Sequence, residues 1–100
     1  MNESVKMIND KTVESSLGWK VCILSIDSFQ YQEDGKTIIF KIEDYPDALG
    51  KLEWTIYVPV KCRWQGANHE EIIDQEKMDE IIDRISTAFW KLDMKIKGFA

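Results

Sequence analysis

The stretch Phe29-Gln30-Tyr31-Gln32-Glu33-Asp34-Gly35-Lys36-Thr37-Ile38-Ile39-Phe40 decides the fold. Asp-Gly supplies two residues tolerant of positive φ between runs rich in aromatic and β-branched side chains, the signature of a two-residue hairpin turn. With Asp34 and Gly35 as the loop, Glu33 faces Lys36, Gln32 faces Thr37, Tyr31 faces Ile38, Gln30 faces Ile39 and Phe29 faces Phe40. One face of the hairpin is then apolar and the other mostly polar, so a second layer must cover the apolar side.

The chain after the hairpin repeats the alternation over a longer span. Leu52, Trp54, Ile56, Val58, Val60, Cys62 and Trp64 share one parity, and Glu53, Thr55, Tyr57, Lys61 and Arg63 the other. Pro59 has no ladder donor, which predicts a sheet edge or a bulge there, with a slip of parity beyond it. Asp44 to Gly50 reads as the connection from the hairpin, with Pro46 and Gly50 as turn residues. Upstream, Trp19 to Ile26 reads as a more completely buried strand, because both parities are apolar, and Ser4 to Ile8 reads as a weaker one.

From Asp74 onward the period becomes helical. Met78, Ile81, Ile82, Ile85, Ala88, Phe89 and Leu92 follow i, i+3, i+4, i+7 spacing and make one stripe, with Asp74 as the N-cap. Ile72 and Ile73 lie off that stripe, which places a break at His69 to Asp74; Asn68 with Glu71 has the spacing of a capping box there. The expectation is a single α+β domain over residues 1–100, with an antiparallel meander of about four strands packed on one face by a C-terminal amphipathic helix.

Composition bounds the function. The 100 residues are 44% hydrophobic and 31% charged, which is globular and large enough for one core. The net charge of −5 opposes a polyanion, so nucleic acid is not an expected direct partner. The longest apolar run, Val21-Cys22-Ile23-Leu24, is too short to cross a bilayer, and no apolar leader precedes it; a soluble, cytoplasmic chain with no membrane partner is expected. Cys22 and Cys62 form no CxxC pair and are read as reduced, packed thiols.

No motif carries a reaction. His69 is the only histidine and has no nucleophile elbow to serve. His69-Glu70 begins like a zinc-protease motif, but position 73 is Ile and no second His follows. The five glycines are too scattered to cradle a phosphate, and Asp79 with Asp83 supplies too few oxygens for calcium. Neither an enzymatic activity nor a cofactor or metal is expected.

What remains are surfaces. His69 to Asp83 carries seven acidic residues against Lys77, a local charge of −6, while Arg84 to Ala100 carries +3. That polarity complements the helix macrodipole by itself. Trp90 is the exception: on a helical wheel it lies ~140° from the centre of the apolar stripe, close to Asp79, Asp83 and Met94 and on the acidic surface that includes Glu76, so it faces out unless the helix loosens before it or the tail from Met94 to Phe99 folds back over it. A large aromatic among carboxylates on the outer side of a helix is the composition of a protein-binding hot spot. A second candidate patch combines Tyr57, Lys61 and Arg63 with Lys41 on the polar face of the sheet.

The stretch Val58-Pro59-Val60-Lys61-Cys62-Arg63-Trp64, followed by Ile81-Ile82-Asp83-Arg84-Ile85-Ser86-Thr87-Ala88, makes the chain resemble the small immunity proteins that bacteria hold in the cytoplasm against contact-dependent or polymorphic toxins. The resemblance covers about the last half of the chain and transfers no site residues. It implies one partner, a toxin domain and often a basic nuclease, neutralised by occlusion of its active site. Two other classes stay open: a homodimeric structural or adaptor module joined through a sheet edge or the outer helix face, and a binder of a small ligand between helix and sheet.

Overall fold

The computed structural model describes residues 3–59, 61–66 and 72–100. The strands are β1 (Val5–Asn9), β2 (Thr12–Ser15), β3 (Lys20–Ser25), β4 (Ser28–Glu33), β5 (Lys36–Pro46), β6 (Leu52–Tyr57), the two-residue β7 (Gln65–Gly66) and β8 (Lys95–Phe99), with helix α1 (Gln75–Lys91) before the last. Seven of them lie side by side in the order β1-β2-β3-β4-β5-β6-β8, and β7 pairs with the hairpin end of β5. The sheet is therefore larger than the four-strand meander expected. The architecture is α+β as read, one helix packed against a curled, largely antiparallel sheet.

The β4–β5 hairpin has the pairing derived from Asp34-Gly35, from Glu33 with Lys36 to Phe29 with Phe40. Asp34 at φ 49° and Gly35 at φ 73° both occupy the left-handed region that a two-residue turn of this hand requires. Two stretches depart from expectation. The long alternation from Leu52 is not one strand: β6 ends at Tyr57, just before Pro59, and the chain rejoins the sheet only at Gln65. The missing proline donor ends the ladder, although Cys62 and Trp64 keep their parity and are buried. The strand after Trp19 is also less enclosed than its composition suggests, since Leu24 and Ile26 lie exposed where β3 bulges into its turn. Val60, Asn68, His69 and Glu71, with the cap and break assigned to them, fall outside the described residues.

Helix α1 starts and stops by local chemistry. The Asp74 carboxylate accepts from the Lys77 backbone N–H at 2.8 Å. At the other end Asp93 adopts φ 59°, its N–H donating to Trp90 O and that of Met94 to Phe89 O, the two bonds of a Schellman stop. Met78, Ile81, Ile85, Ala88 and Phe89 are buried, and Ile82 and Leu92 are partly buried. They meet the concave face, where Phe29 packs on Phe40 and edge-on to Phe89, with ring centroids 5.1 and 5.0 Å apart. After the helix the chain returns as β8, parallel to β6, a pairing that needs a crossover and that α1 supplies.

Candidate functional site

Two independent arrangements of polar side chains surround α1. The first lies beneath it. Glu33 ends β4 with its side chain turned under the helix, 8% exposed. Its carboxylate accepts from Tyr31 Oη at 2.6 Å, from Lys77 Nζ at 2.8 Å and from Arg84 Nη1 at 3.2 Å. Arg84 also donates to Tyr31 Oη at 2.9 Å and stands 5.8 Å from the Trp19 ring centre, and both cations reach Glu80 on the rim. Burial and the Glu33 hydrogen bond push the Tyr31 phenol well above its ordinary value. Burial alone would lower Lys77 and Arg84; their bonds to Glu33, Glu80 and Tyr31 outweigh it and hold both above their ordinary values. Glu33, Tyr31, Lys77 and Arg84 each have a partner within the cluster, which locks helix to sheet.

The second arrangement faces solvent. Glu76, Asp79, Asp83, Thr87 and Trp90 succeed one another along the outer surface of α1, and all five are exposed. Trp90 is 77% exposed, with Lys91 Nζ 5.8 Å from its ring centre. Asp79 accepts from the Gln75 amide at 2.8 Å, and Thr87 Oγ1 donates to Asp83 O, which keeps the hydroxyl against the helix. Among the described residues no ion pair engages Glu76, Asp79 or Asp83. Beside this row an open cleft of about 440 Å³ runs between Asp83, Thr87 and Arg84 on the helix and Glu3 and Trp19 below. Glu3 is held there by the indole N–H of Trp19 at 2.6 Å and by the Ser15 hydroxyl. With Glu80 the cleft collects three carboxylates and one guanidinium, so its field favours a cation.

The convex face of the sheet separates the other candidates into two neighbourhoods. Tyr57 pairs with Lys41, but its phenol is held above the ordinary value by burial and by Glu43, whose carboxylate also accepts from Tyr45 Oη. Lys61 and Arg63 lie beyond the break at Pro59, on a groove over Ile38 and Ile39, with Arg63 bridged to Ile72. The aromatic and the two cations thus flank different stretches of β5.

Two features escaped the sequence reading. The Glu33 cluster joins residues more than forty positions apart, and no spacing signals it. Both cysteines are free, as read, and Cys62 is buried in the core with its thiol raised by burial, whereas Cys22 is half-exposed on the convex face and not fully packed. An apolar groove of about 280 Å³ opens between Ile23, Leu24 and Ile26 on one side and Trp54 and Met94 on the other. A strand read as buried on both parities from Trp19 to Ile26 hides that groove, because Leu24 and Ile26 are exposed. Among the described residues no helix is long and apolar enough to cross a membrane and no cluster of ligand side chains could hold a metal.

Comparison with protein-family models, with curated proteins and with solved structures returned no match.

Proposed function

We propose that this chain is a small acidic protein-binding module that works from the outer surface of α1 without catalysing a reaction, and that it acts as a cytoplasmic immunity protein occluding the active site of a basic toxin domain. The observation that carries the proposal is the row Glu76, Asp79, Asp83 and Trp90: an indole 77% exposed, in line with three exposed carboxylates that form no ion pair among the described residues. Folding gains little from leaving that ring in water, whereas burial by a partner contributes ~2 kcal/mol or more. The carboxylates would stand in for substrate phosphates on a nuclease and speed encounter with a cationic surface. The adjacent cleft gives a basic side chain of the partner a second place to seat.

The test is calorimetric titration of the full chain with the toxin domain encoded beside its gene. Trp90→Ala, or the Asp79→Lys and Asp83→Lys pair, should weaken the complex at least about tenfold. Unchanged affinity in both variants would remove α1 from the interface. If no toxin gene adjoins it, or if that domain does not bind, the immunity reading fails.

A further inference from the structure

Asp93 ends helix α1 in a way that costs stability twice. Among the described residues only Asp34 and Asp93 adopt a positive φ without being glycine. Asp34 sits in the Asp-Gly turn that favours it, whereas Asp93, at φ 59°, holds the position after the C-cap Leu92 where glycine is preferred. Its carboxylate also lies at the negative end of the helix dipole. No ion pair among the described residues offsets that charge. A residue that breaks local preferences without internal compensation marks a functional position. Its neighbour is the Trp90 indole. The Asp93 N–H donates to Trp90 O at 3.1 Å, which fixes Asp93 one turn beyond that residue, as Thr87 lies one turn before it and Asp83 two. Thr87 Oγ1 gives its proton to Asp83 O, so along this end of the helix the surface offers acceptors: two exposed carboxylates and a hydroxyl oxygen. The chain's own Lys91 already brings a cation to the ring, with Nζ 5.8 Å from its centre, near the limit of cation–π range, yet the indole stays 77% exposed.

We propose, resting on α1 as the partner-binding surface, that Trp90 and Asp93 together bind an arginine side chain of the partner protein. The guanidinium stacks on the indole, and its N–H groups donate to the Asp93 carboxylate. Charge complementarity selects a cation, since Asp83 and Asp93 lie on either side of Trp90 along the chain and the ring faces attract positive charge. Shape selects arginine. A planar guanidinium lies flat on an indole and aims its donors, within its own plane, at a carboxylate beside the ring. A lysine ammonium is a compact and more strongly hydrated charge that does one or the other less well. Arginine is also the side chain that grips phosphates bidentately, so on a nuclease it is the group a substitute carboxylate would engage.

Two measurements on the full chain test the site. In calorimetric titration with the adjacent toxin domain, Asp93→Gly should weaken the complex at least about fivefold, while urea denaturation shows the variant more stable than wild type. Affinity falling as stability rises is a result that a merely structural role at position 93 would not give. Asp93→Asn, which keeps a residue tolerant of positive φ and removes the charge, should weaken the complex to a similar degree. Without the toxin, the Trp90 indole N–H resonance, assigned by its loss in Trp90→Phe, should shift saturably with N-acetyl-arginine amide. The arginine amide should bind at least about threefold more tightly than N-acetyl-lysine amide, and the preference should vanish in Asp93→Gly. An equal or absent response to the two amides, or a preference that survives Asp93→Gly, would overturn the inference. Toxin binding that needs Trp90 and is unchanged in both Asp93 variants would overturn it as well and leave the protein-binding reading standing. An arginine preference that depends on Asp93, in a chain that binds no adjacent toxin, would keep the site and remove the immunity reading.

Discussion

Replacing Glu33 by Ala tests the link between helix and sheet. The substitution strips Tyr31 Oη of its acceptor and removes one of two carboxylates from both Lys77 and Arg84. Breaking a fully buried ion pair costs ~3–5 kcal/mol, but here the side chains of Lys77 and Arg84 are 32% and 20% exposed and keep Glu80. Water and Glu80 relieve part of that loss, and the expected cost is ~2–3 kcal/mol, including the orphaned phenol. Glu80→Ala, at 47% exposure, should cost only ~0.5 kcal/mol. Urea denaturation followed by far-ultraviolet circular dichroism reads both, and a loss of 2–3 kcal/mol moves the midpoint by roughly 2 M at the slope of a small domain. Arg84→Met, alone and combined with Glu33→Ala, completes a double-mutant cycle with a coupling of about 1 kcal/mol or more. A loss under about 1 kcal/mol for Glu33→Ala, or equal losses at Glu33 and Glu80, would refute the assignment of a buried polar lock.

Three further outcomes are expected. Asp93→Gly should stabilise the chain by ~0.5–1 kcal/mol in the same urea assay, because the residue sits at φ 59° and puts a carboxylate at the negative end of the helix; a destabilised variant would contradict the Schellman geometry. Trp90→Phe should lower the acrylamide-quenchable tryptophan emission and leave a remainder from the partly buried Trp54, while changing stability by under about 0.5 kcal/mol, since Trp19 and Trp64 are buried; undiminished quenching would place the exposed indole elsewhere. With an aromatic disulfide reagent at neutral pH, Cys22 should react promptly and Cys62 only on unfolding; as burial raises the Cys62 thiol above 9.0, its contribution to stability is complete below that pH and is lost as pH rises through the folded-state value. Equal reaction of both thiols, or a Cys62→Ala variant with an unchanged alkaline limb of stability, would count against that burial.

Legibility in the sequence followed the range of the interaction. Asp34-Gly35 announced a hairpin with its register because the turn and both strands lie within twelve residues, and Met78 to Leu92 announced a helix because one stripe repeats over four turns. β1 and β2 are four or five residues each and mix Lys6, Asn9 and Glu14 with their apolar positions, too short for a period to emerge. β8 is read as a tail because Lys95, Lys97 and Gly98 dilute its alternation, and only its parallel neighbour β6 makes it a strand. The outward angle of Trp90 was legible, since helical geometry fixes the angle between the ring and the apolar stripe, but its exposure was decided only by the tertiary structure, which lays the chain after Met94 beside β6 and not over the indole.

The chain's own order of residues therefore determined the turn, the helix with its N-cap, the inward parity of the central strands and the outward row of acids ending in Trp90. Each depends on backbone sterics and periodicity over a few neighbours, which amino-acid identity dictates directly. Tertiary structure alone decided that Glu33 is buried against Lys77 and Arg84, that the strand from Leu52 stops at Tyr57, and that β1 and β8 form the two ends of the sheet. Those outcomes depend on which distant surfaces the collapse of the core brings within a few ångströms of one another, and no local pattern encodes that distance.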